Sequence, residues 1–484
     1  MRYSVVIRYI GMVLLVLAAF MLASAGISYV SNVDSAYTPL IMSSLLTLLM
    51  GCFPLIFVPR TDRISQKEAY CIVVGAWVVA SIVGMFPYLM WGGEFTLVNA
   101  WFESVSGFTT TGASILNDIE ALPRGLLFWR MATSWIGGIG VVMFALVILP
   151  AIGKSKMMLS NFELSSLAKD NFNLYRTPTV VRIVLSVYVG LTVVTTLLLK
   201  LCGMTWFDSV CHAMSACGTC GFSTKNLSIG WYDSLSVELV LIFAMVMAGI
   251  HFGLIFATLR RQRNNIFRSE IARTYFAVIG VSALLIGISL WMADIYPNIF
   301  ASMRSALFHT VSLITTTGFA TADCNTWTSF AIMILIFCSV VCACAGSTAG
   351  GMKTTTLAVL FSTAISVFRR REHTHFFGRR VNDDAIRNAA TILMMYVILF
   401  LTGGFLISHM ESLPLLTCLY ETASAIGTVG LTLGITPNLG IASQIILIVL
   451  MYIGRVGGLT LIFSALSGHQ GNTARLPKEK ITVG

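Results

Sequence analysis

The chain contains one short stretch whose residues could bind a metal ion without using a charged side chain. In "SAIGTVGLTLG" (Ser424 to Gly434), Thr428 and Gly430 flank Val429. The backbone carbonyls of such a Thr-x-Gly tripeptide can replace the hydration shell of a cation when they line a pore. Glycine allows the backbone conformation that turns these carbonyls inward. One copy supplies ligands from one direction only, so a binding site needs further copies elsewhere in the chain.

Three further copies of the tripeptide occur, each preceded by a short stretch with a matching polar pattern. The four stretches are "FESVSGFTTTGAS" (102–114), "CHAMSACGTCGFST" (211–224), "FHTVSLITTTGFAT" (308–321) and "YETASAIGTVGLTL" (420–433). The glycines that end successive tripeptides are 109, 97 and 112 residues apart. Similar spacing of similar stretches predicts an internal repeat with four units.

The agreement between the four copies extends to three positions before the glycine. The glycines are Gly112, Gly221, Gly318 and Gly430. Two residues earlier stand Thr110, Thr219, Thr316 and Thr428; six earlier stand Ser106, Ser215, Ser312 and Ser424; nine earlier stand Glu103, His212, His309 and Glu421. Polar residues recurring at fixed positions in so apolar a chain indicate a shared local structure.

The composition places these copies in a membrane. The 484-residue chain is 56% hydrophobic and 11% charged, with a mean hydropathy of +0.84, whereas soluble domains are about 25% charged. Apolar runs of about 20 residues recur, long enough to cross a hydrocarbon core of roughly 30 Å. Basic residues concentrate after alternate apolar segments, for example at 260–268 and 369–380. This positive-inside pattern predicts a multi-pass protein of the cell (inner or plasma) membrane with both termini in the cytoplasm, and it requires no nucleic-acid partner.

Each Thr-x-Gly copy lies between two long apolar segments. Predicted helices precede the copies at about 71–91, 180–202, 273–293 and 387–409, and follow them at about 127–149, 234–258, 328–368 and 441–465. The lead-in to each copy is too short to span a bilayer, which favours a half-helix that dips in and returns. Irregular backbone at membrane depth must be buried in protein or line a water-filled cavity. Four such loops packed around one pore would meet this requirement together. Four ordinary turns between spanning helices are the alternative.

These elements predict an all-α polytopic fold with four pseudo-repeats of helix, pore half-helix with loop, and helix around one central pore. An extra N-terminal helix pair precedes the repeats; Ala23-Ser24-Ala25 could mark a signal-peptide cleavage site, but a second apolar helix follows at once. The predicted divisions are an extension at 1–66, repeats at 67–160, 161–262, 263–380 and 381–466, and a cytoplasmic tail at 467–484.

The motifs "GFTTTGAS", "GFST", "TTTGFAT" and "GSTAGGMK" make the chain resemble the TrkH/KtrB/HKT superfamily of potassium transporters. The extra leading helix pair makes it similar to the TrkH branch, and the resemblance covers about 1–466. It implies a K⁺-selective path within one subunit, a homodimer, and a cytoplasmic ring of nucleotide-binding subunits of the TrkA/KtrA type. It implies no cofactor in this chain, since K⁺ is the transported ion and the only metal expected.

The resemblance also assigns a K⁺ filter to the four tripeptides, with glycine in all four positions, a pattern that goes with K⁺ preference in this superfamily. The implied filter residues are Thr110, Thr111, Gly112, Thr219, Cys220, Gly221, Thr316, Thr317, Gly318, Thr428, Val429 and Gly430. The middle residue varies between copies, which matters little when its carbonyl is the ligand.

The segment 328–368 is long enough for a helix of about 60 Å, twice what a membrane needs. Its middle, "CACAGSTAGGMKTTT" (342–356), is rich in helix-breaking glycine. Close helix packing through small residues is one interpretation; the resemblance implies instead an intramembrane gating loop at 346–353. The predicted gate residues are Gly346, Ser347, Thr348, Gly350, Gly351, Lys353 and Arg455. Lys353 could alternatively reach the cytoplasmic surface, whereas Arg455 lies well inside its helix.

Two clusters offer alternative chemistry. Glu103, His212, His309 and Glu421 could form a metal site if their helices converged, but their identical repeat position favours hydrogen bonds around the filter base. Cys217 and Cys220 have the Cys-x-x-Cys spacing of a redox or zinc site. However, they lie at the second Thr-x-Gly tripeptide, of which Cys220 is the middle residue. The leading hypothesis is therefore a passively conducting K⁺ uptake subunit that is not an enzyme and has no catalytic residues. A Na⁺-permeable or K⁺/Na⁺-coupled transporter, or a membrane-embedded metalloenzyme, are the alternatives.

Overall fold

The structure is a computed structural model that describes residues 2–59, 65–151, 177–262, 265–376 and 379–457. Its helices, numbered here in chain order, are α1 (Tyr3–Val30), α2 (Tyr37–Phe57), α3 (Gln66–Gly84), α4 (Phe86–Trp91), α5 (Leu97–Phe108), α6 (Arg124–Ala151), α7 (Thr177–Leu201), α8 (Trp206–Gly218), α9 (Leu235–Ala248), α10 (Phe252–Leu259), α11 (Glu270–Met292), α12 (Ile299–Ile314), α13 (Ser329–Val341), α14 (Thr354–Phe368), α15 (Asp383–Glu411), α16 (Leu415–Gly427) and α17 (Ile441–Val456). Two-residue strands β1 (His375–Phe376) and β2 (Arg379–Arg380) pair antiparallel between α14 and α15.

Six helical segments within the described ranges are long and apolar enough to span a bilayer. They are Tyr3–Val30, Tyr37–Phe57, Cys71–Trp91, Val180–Leu201, Glu270–Met292 and Asp383–Glu411. Their lipid-facing sides carry many exposed aliphatic and aromatic side chains, as expected where the solvent is hydrocarbon. The prediction of an all-α polytopic membrane protein is confirmed.

Four short helices precede the Thr-x-Gly tripeptides: α5, α8, α12 and α16. They contain 12, 13, 16 and 13 residues, or about 18–24 Å of helix, which is less than the roughly 30 Å of a bilayer core. Side chains of Thr96, Thr205 and Asn298 accept hydrogen bonds from the first-turn amides of the first three helices. These N-caps define where the half-helices begin.

The segment predicted as one helix at 234–258 is broken, so that prediction is wrong. Helices α9 and α10 meet at an angle of 105°. The cause is tertiary: Thr348 Oγ1 donates to the Ala248 carbonyl at 3.2 Å, and the Cys344 amide donates to the Gly249 carbonyl at 3.1 Å. With its last carbonyls bonded to another segment, α9 ends there, and His251 Nδ1 caps α10 by accepting from the Gly253 amide.

The helix predicted at 441–465 ends early, because α17 stops at Val456 and Gly457 has φ of 82°; the ends of the other long predicted helices lie within five residues of the observed ones. The segment 328–368 is interrupted between α13 and α14, and residues 342–353 form a loop, called the 342–353 loop below. The predicted helix at 71–91 consists of α3 and α4, joined at Met85. The predicted repeat boundary at 160/161, the end of the last repeat at 466 and the tail at 467–484 lie outside the described residues.

The N-terminal helix pair is joined to the first predicted repeat by an ion pair. The Arg2 guanidinium donates to both Glu68 carboxylate oxygens, at 2.9 and 3.0 Å. Glu68 also completes a capping box with Ser65 at the start of α3. The Arg2 hydrogen bonds, followed by that from the Ser65 amide, hold the pKa of the Glu68 carboxyl well below its usual range.

This ion pair predicts a pH-dependent contribution to stability. Because the folded-state pKa of Glu68 is lowered, the stabilisation is complete above the unfolded carboxyl pKa of about 4.3 and is lost as the pH falls through the folded value. We expect Glu68→Gln to lower the Tm of the detergent-solubilised protein at neutral pH, with the difference from wild type shrinking in acid. Asp384→Asn, which removes an exposed ion pair with Arg387, is the control and should leave Tm nearly unchanged. A Tm deficit of Glu68→Gln that persists undiminished in acid would contradict this account.

Candidate ion filter and intramembrane loop

The four Thr-x-Gly tripeptides share one backbone conformation. The threonines Thr110, Thr219, Thr316 and Thr428 have φ between 54° and 57°, and the following glycines have φ between 81° and 88°. In each copy the amide of the middle residue donates to the carbonyl of the serine six residues before the glycine: Thr111 to Ser106 (2.8 Å), Cys220 to Ser215 (3.0 Å), Thr317 to Ser312 (2.8 Å) and Val429 to Ser424 (2.8 Å). The serine position therefore marks the carbonyl at which each half-helix folds back on its tripeptide.

The four tripeptides close a ring in chain order. A Cβ atom built on each glycine would fall on the middle carbonyl oxygen of the next tripeptide: from Gly112 to Cys220 O 1.8 Å, from Gly221 to Thr317 O 2.1 Å, from Gly318 to Val429 O 1.9 Å, and from Gly430 back to Thr111 O 2.0 Å. Such distances are far below a van der Waals contact. Each glycine thus lies directly against the middle carbonyl of the next tripeptide, and the four contacts close a ring of segments from distant parts of the chain.

The side chains around the ring are not the same in all four copies: the first and third tripeptides resemble each other, and the second and fourth differ from them. In the first and third tripeptides a preceding threonine contacts the middle one: Thr109 to Thr111 and Thr315 to Thr317, both at 2.8 Å. The second and fourth tripeptides carry Cys220 and Val429 at the middle position, which have no hydroxyl. The backbone is therefore similar in all four copies, while the buried polar groups behind it differ.

The 342–353 loop packs against the threonine end of this ring. The Gly350 amide donates to Thr316 Oγ1 at 3.2 Å, and a Cβ on Gly350 would lie 2.0 Å from Thr428 Oγ1. Thr348 Oγ1 also reaches the Cys217 carbonyl at 3.1 Å, at the end of α8. The loop consequently contacts the second, third and fourth half-helix units at once, and its predicted residues Ser347, Thr348 and Gly350 are buried.

The two cations among the predicted gate residues both lie at this loop. Arg455 on α17 is 5% exposed and donates to the Thr348 carbonyl at 2.7 Å and to the Gly137 carbonyl on α6 at 2.9 Å. Lys353 turns back on its own loop, where Nζ donates to the carbonyls of Ala349 and Gly350. Gly346 and Gly351, the remaining predicted loop residues, have φ of 77° and 63° and pack against His251 and Cys342, respectively.

Each of the four polar residues nine positions before the glycines has its own hydrogen-bond partners. Glu103 accepts from the Ser114 hydroxyl and pairs with Arg130, while His212 bridges the Asp208 carbonyl at 2.8 Å and Ser223 Oγ at 2.9 Å. His309 contacts the Ser305 carbonyl at 3.0 Å, and Glu421 accepts from the Thr436 hydroxyl. Among the residues the structure describes, no three His, Cys, Asp or Glu side chains are grouped to hold a metal ion.

Sequence reasoning missed Arg130 as a functional candidate. It is the seventh residue of α6, and only 1% of its surface is exposed. A charged residue in an apolar helix is itself a signal, since such a residue needs a partner at membrane depth. The partner, Glu103, could not be chosen from spacing alone because it lies on a different helix.

Together these features define a polytopic helical membrane protein in which four short helices each lead into one tripeptide of a closed ring, with a buried loop packed against that ring. The sequence profile described as TrkH, cation transport protein, matches residues 57–473. The chain belongs to this family of cation transport proteins, which confirms the resemblance inferred from the motifs and the prediction of a transporter rather than an enzyme.

Several named proteins are similar to the chain over most of its length. The Trk system potassium uptake protein TrkH of Salmonella typhimurium is 29% identical over 377 residues, covering 77% of this chain and 78% of that protein. The protein of the same name from Halomonas elongata is 28% identical over 484 residues, covering 96% and 98%. The crystal structure of the potassium transporter TrkH from Vibrio parahaemolyticus superposes with a TM-score of 0.85 at 25% identity and covers 96% and 98%.

Proposed function

We propose that the chain is the K⁺-selective, ion-conducting membrane subunit of a Trk-type potassium uptake system. The observation that carries this proposal is the closed ring of Thr-x-Gly tripeptides, in which each glycine lies against the middle carbonyl of the next copy. Relatives similar over nearly the whole chain are named as potassium uptake proteins. The four tripeptides form the filter, and the chain divides into four pseudo-repeats around one pore.

Selectivity arises from backbone oxygens in this proposal. The carbonyls of the ring replace the hydration shell of a dehydrated K⁺ ion. The half-helices α5, α8, α12 and α16 each end at a tripeptide, so their partially negative C-terminal ends favour cations and disfavour anions. Binding and release of the ion at the carbonyls form and break no covalent bond, so ions move passively down their electrochemical gradient once the path is open.

The 342–353 loop is the gate. It fills the space next to Thr316 and Thr428 and is bonded by Arg455, so ions leaving the filter meet a packed loop and a buried positive charge. Opening requires the loop to move, and this movement breaks the present hydrogen bonds of Thr348 and Gly350. A regulatory partner on the cytoplasmic side supplies the free energy for this displacement.

The proposal also includes the subunits that bind this chain and its orientation in the membrane. The "Trk system" in the names of the relatives denotes a system, consistent with a nucleotide-binding TrkA/KtrA-type ring docked below a homodimer of this subunit. The basic surface around Arg369, Arg370 and Arg380 lies beside the β1–β2 pair, and positive charge there favours the cytoplasmic side of the cell membrane. Both termini then lie in the cytoplasm.

Uptake of radioactive Rb⁺ into proteoliposomes tests the function directly. We expect uptake driven by an outward K⁺ gradient, suppressed by external K⁺ but not by equal external Na⁺, because K⁺ and Rb⁺ are similar in size and the smaller Na⁺ does not contact the carbonyl ring on all sides. Protein-free liposomes are the control, and the regulatory partner is added where the basal rate is low. Suppression by Na⁺ as strong as that by K⁺ would favour the Na⁺-permeable alternative. Bound transition metal without any ion flux, even with partner present, would favour an enzyme.

A further inference from the structure

A buried ion pair beside the filter joins the first two Thr-x-Gly tripeptides. Arg130 Nε on α6 donates to Glu103 Oε1 on α5, and the two side chains are 1% and 0% exposed. Burying two charges is favourable only when further hydrogen bonds satisfy the remaining donors and acceptors. The other contacts of the pair therefore indicate what it holds in place.

The glutamate side of the pair holds the exit of the first tripeptide. Glu103 Oε2 accepts from Ser114 Oγ at 3.1 Å and from the Ile115 amide at 3.4 Å. Ser114 is the second residue after Gly112. The carboxylate thus fixes the chain just after the first tripeptide to the half-helix that leads into it.

The arginine side of the pair holds the exit of the second tripeptide. The guanidinium carbon lies 3.6 Å from the centroid of the Phe222 ring, and Nη1 donates to the Ser223 carbonyl at 3.3 Å. Ser223 is the second residue after Gly221 and therefore occupies the position equivalent to Ser114. His212 secures the same residue from the other side through Ser223 Oγ.

We propose that the Glu103–Arg130 pair is a positioning element for ion selectivity, which sets the separation of the first and second tripeptides where the Cys220 carbonyl meets Gly112. This inference rests on the proposed filter function. The pair belongs to one junction of the ring: at the position equivalent to Glu103 in the fourth unit, Glu421 accepts from a hydroxyl, that of Thr436. The four junctions of the ring are therefore stabilised differently, and the junction between the first and second tripeptides contains an ion pair.

The charge of the pair and its geometry have separable effects. Glu103→Gln leaves a buried positive charge beside the cation path, whereas Arg130→Gln leaves a negative one, so the two should change the apparent affinity for Rb⁺ in opposite directions. Arg130→Lys keeps the charge balance but loses the planar contact with Phe222 and the forked reach to both Glu103 and Ser223. A positioning role requires that Arg130→Lys also lose K⁺/Na⁺ discrimination.

The test is K⁺ and Na⁺ competition against Rb⁺ uptake in proteoliposomes of wild type, Glu103→Gln, Arg130→Gln and Arg130→Lys, with Tm measured on each. We expect discrimination to fall about tenfold in Arg130→Lys, since the single ammonium of lysine cannot donate to Glu103 and to the Ser223 carbonyl with the spacing of the guanidinium. Arg304→Gln is the control: Arg304, in the first half of α12 and twelve residues before Thr316, donates to both Glu238 oxygens at 2.8 Å, and its loss should lower Tm without changing discrimination. Folded Arg130 variants that discriminate as well as wild type would overturn this inference alone. A wild type that conducts Rb⁺ without discrimination would overturn the proposed function and this inference together.

Discussion

Gly430→Ser is expected to abolish discrimination between K⁺ and Na⁺ in the proteoliposome assay. A Cβ at this position would lie 2.0 Å from the Thr111 carbonyl oxygen and 2.6 Å from the Gly112 carbonyl carbon. These neighbours are backbone atoms of the ring, so they can yield only by moving the first tripeptide away from the axis. A wider ring no longer contacts a dehydrated K⁺ ion on all sides, and we expect the preference for K⁺ over Na⁺ to fall by at least about tenfold.

The chain offers a closely matched control for this substitution. Gly434, four residues further on, has φ of 81°, against 82° for Gly430. A Cβ on Gly434 meets nothing nearer than Asn325 Nδ2 at 3.8 Å. Gly434→Ser therefore imposes the same backbone strain, roughly 1–2 kcal/mol, without the collision, and it should keep wild-type discrimination. Unaltered selectivity in a folded Gly430→Ser protein would place the filter elsewhere.

Arg455→Gln is expected to raise Rb⁺ uptake in the absence of any regulatory partner by about tenfold or more, because two charge-assisted hydrogen bonds of about 1.5–3 kcal/mol each are lost. One of these bonds ties the Thr348 carbonyl of the loop to α17, and the other ties α17 to Gly137 on α6. The substitution also removes a buried positive charge that opposes cations below the filter. Both effects act in the same direction, toward conduction.

Arg455→Lys separates the tether from the charge. Lysine keeps the positive charge but cannot span the Thr348 and Gly137 carbonyls with one rigid fork. If the tether dominates, Arg455→Lys conducts nearly as well as Arg455→Gln; if the charge dominates, it stays near wild type. Arg387→Gln, which removes an arginine paired with Asp384 on the surface, should leave uptake unchanged. An Arg455→Gln protein that folds and takes up no more Rb⁺ than wild type would refute the role of the 342–353 loop as a gate.

Several properties of the protein follow from the sequence because they depend on composition or on local backbone chemistry. Apolar runs and sparse charge determine that the chain spans a membrane, since a buried backbone in lipid must form helices. The four Thr-x-Gly copies, with serine and a polar residue at fixed earlier positions, indicate four similar half-helices. The glycine content of 342–356 predicts the interruption between α13 and α14.

Other properties required the tertiary structure. The break at 249–251 contains no proline; it forms because Thr348 and Cys344, about 100 residues away, bond to the last carbonyls of α9. The order in which the four tripeptides meet and the choice of Arg130 as the partner of Glu103 likewise depend on which helices become neighbours. Sequence patterns record what a residue requires, such as burial or a partner for its charge. Which distant residue meets that requirement is decided only when all the helices pack, because the contacts that select it are made between segments that share no local geometry.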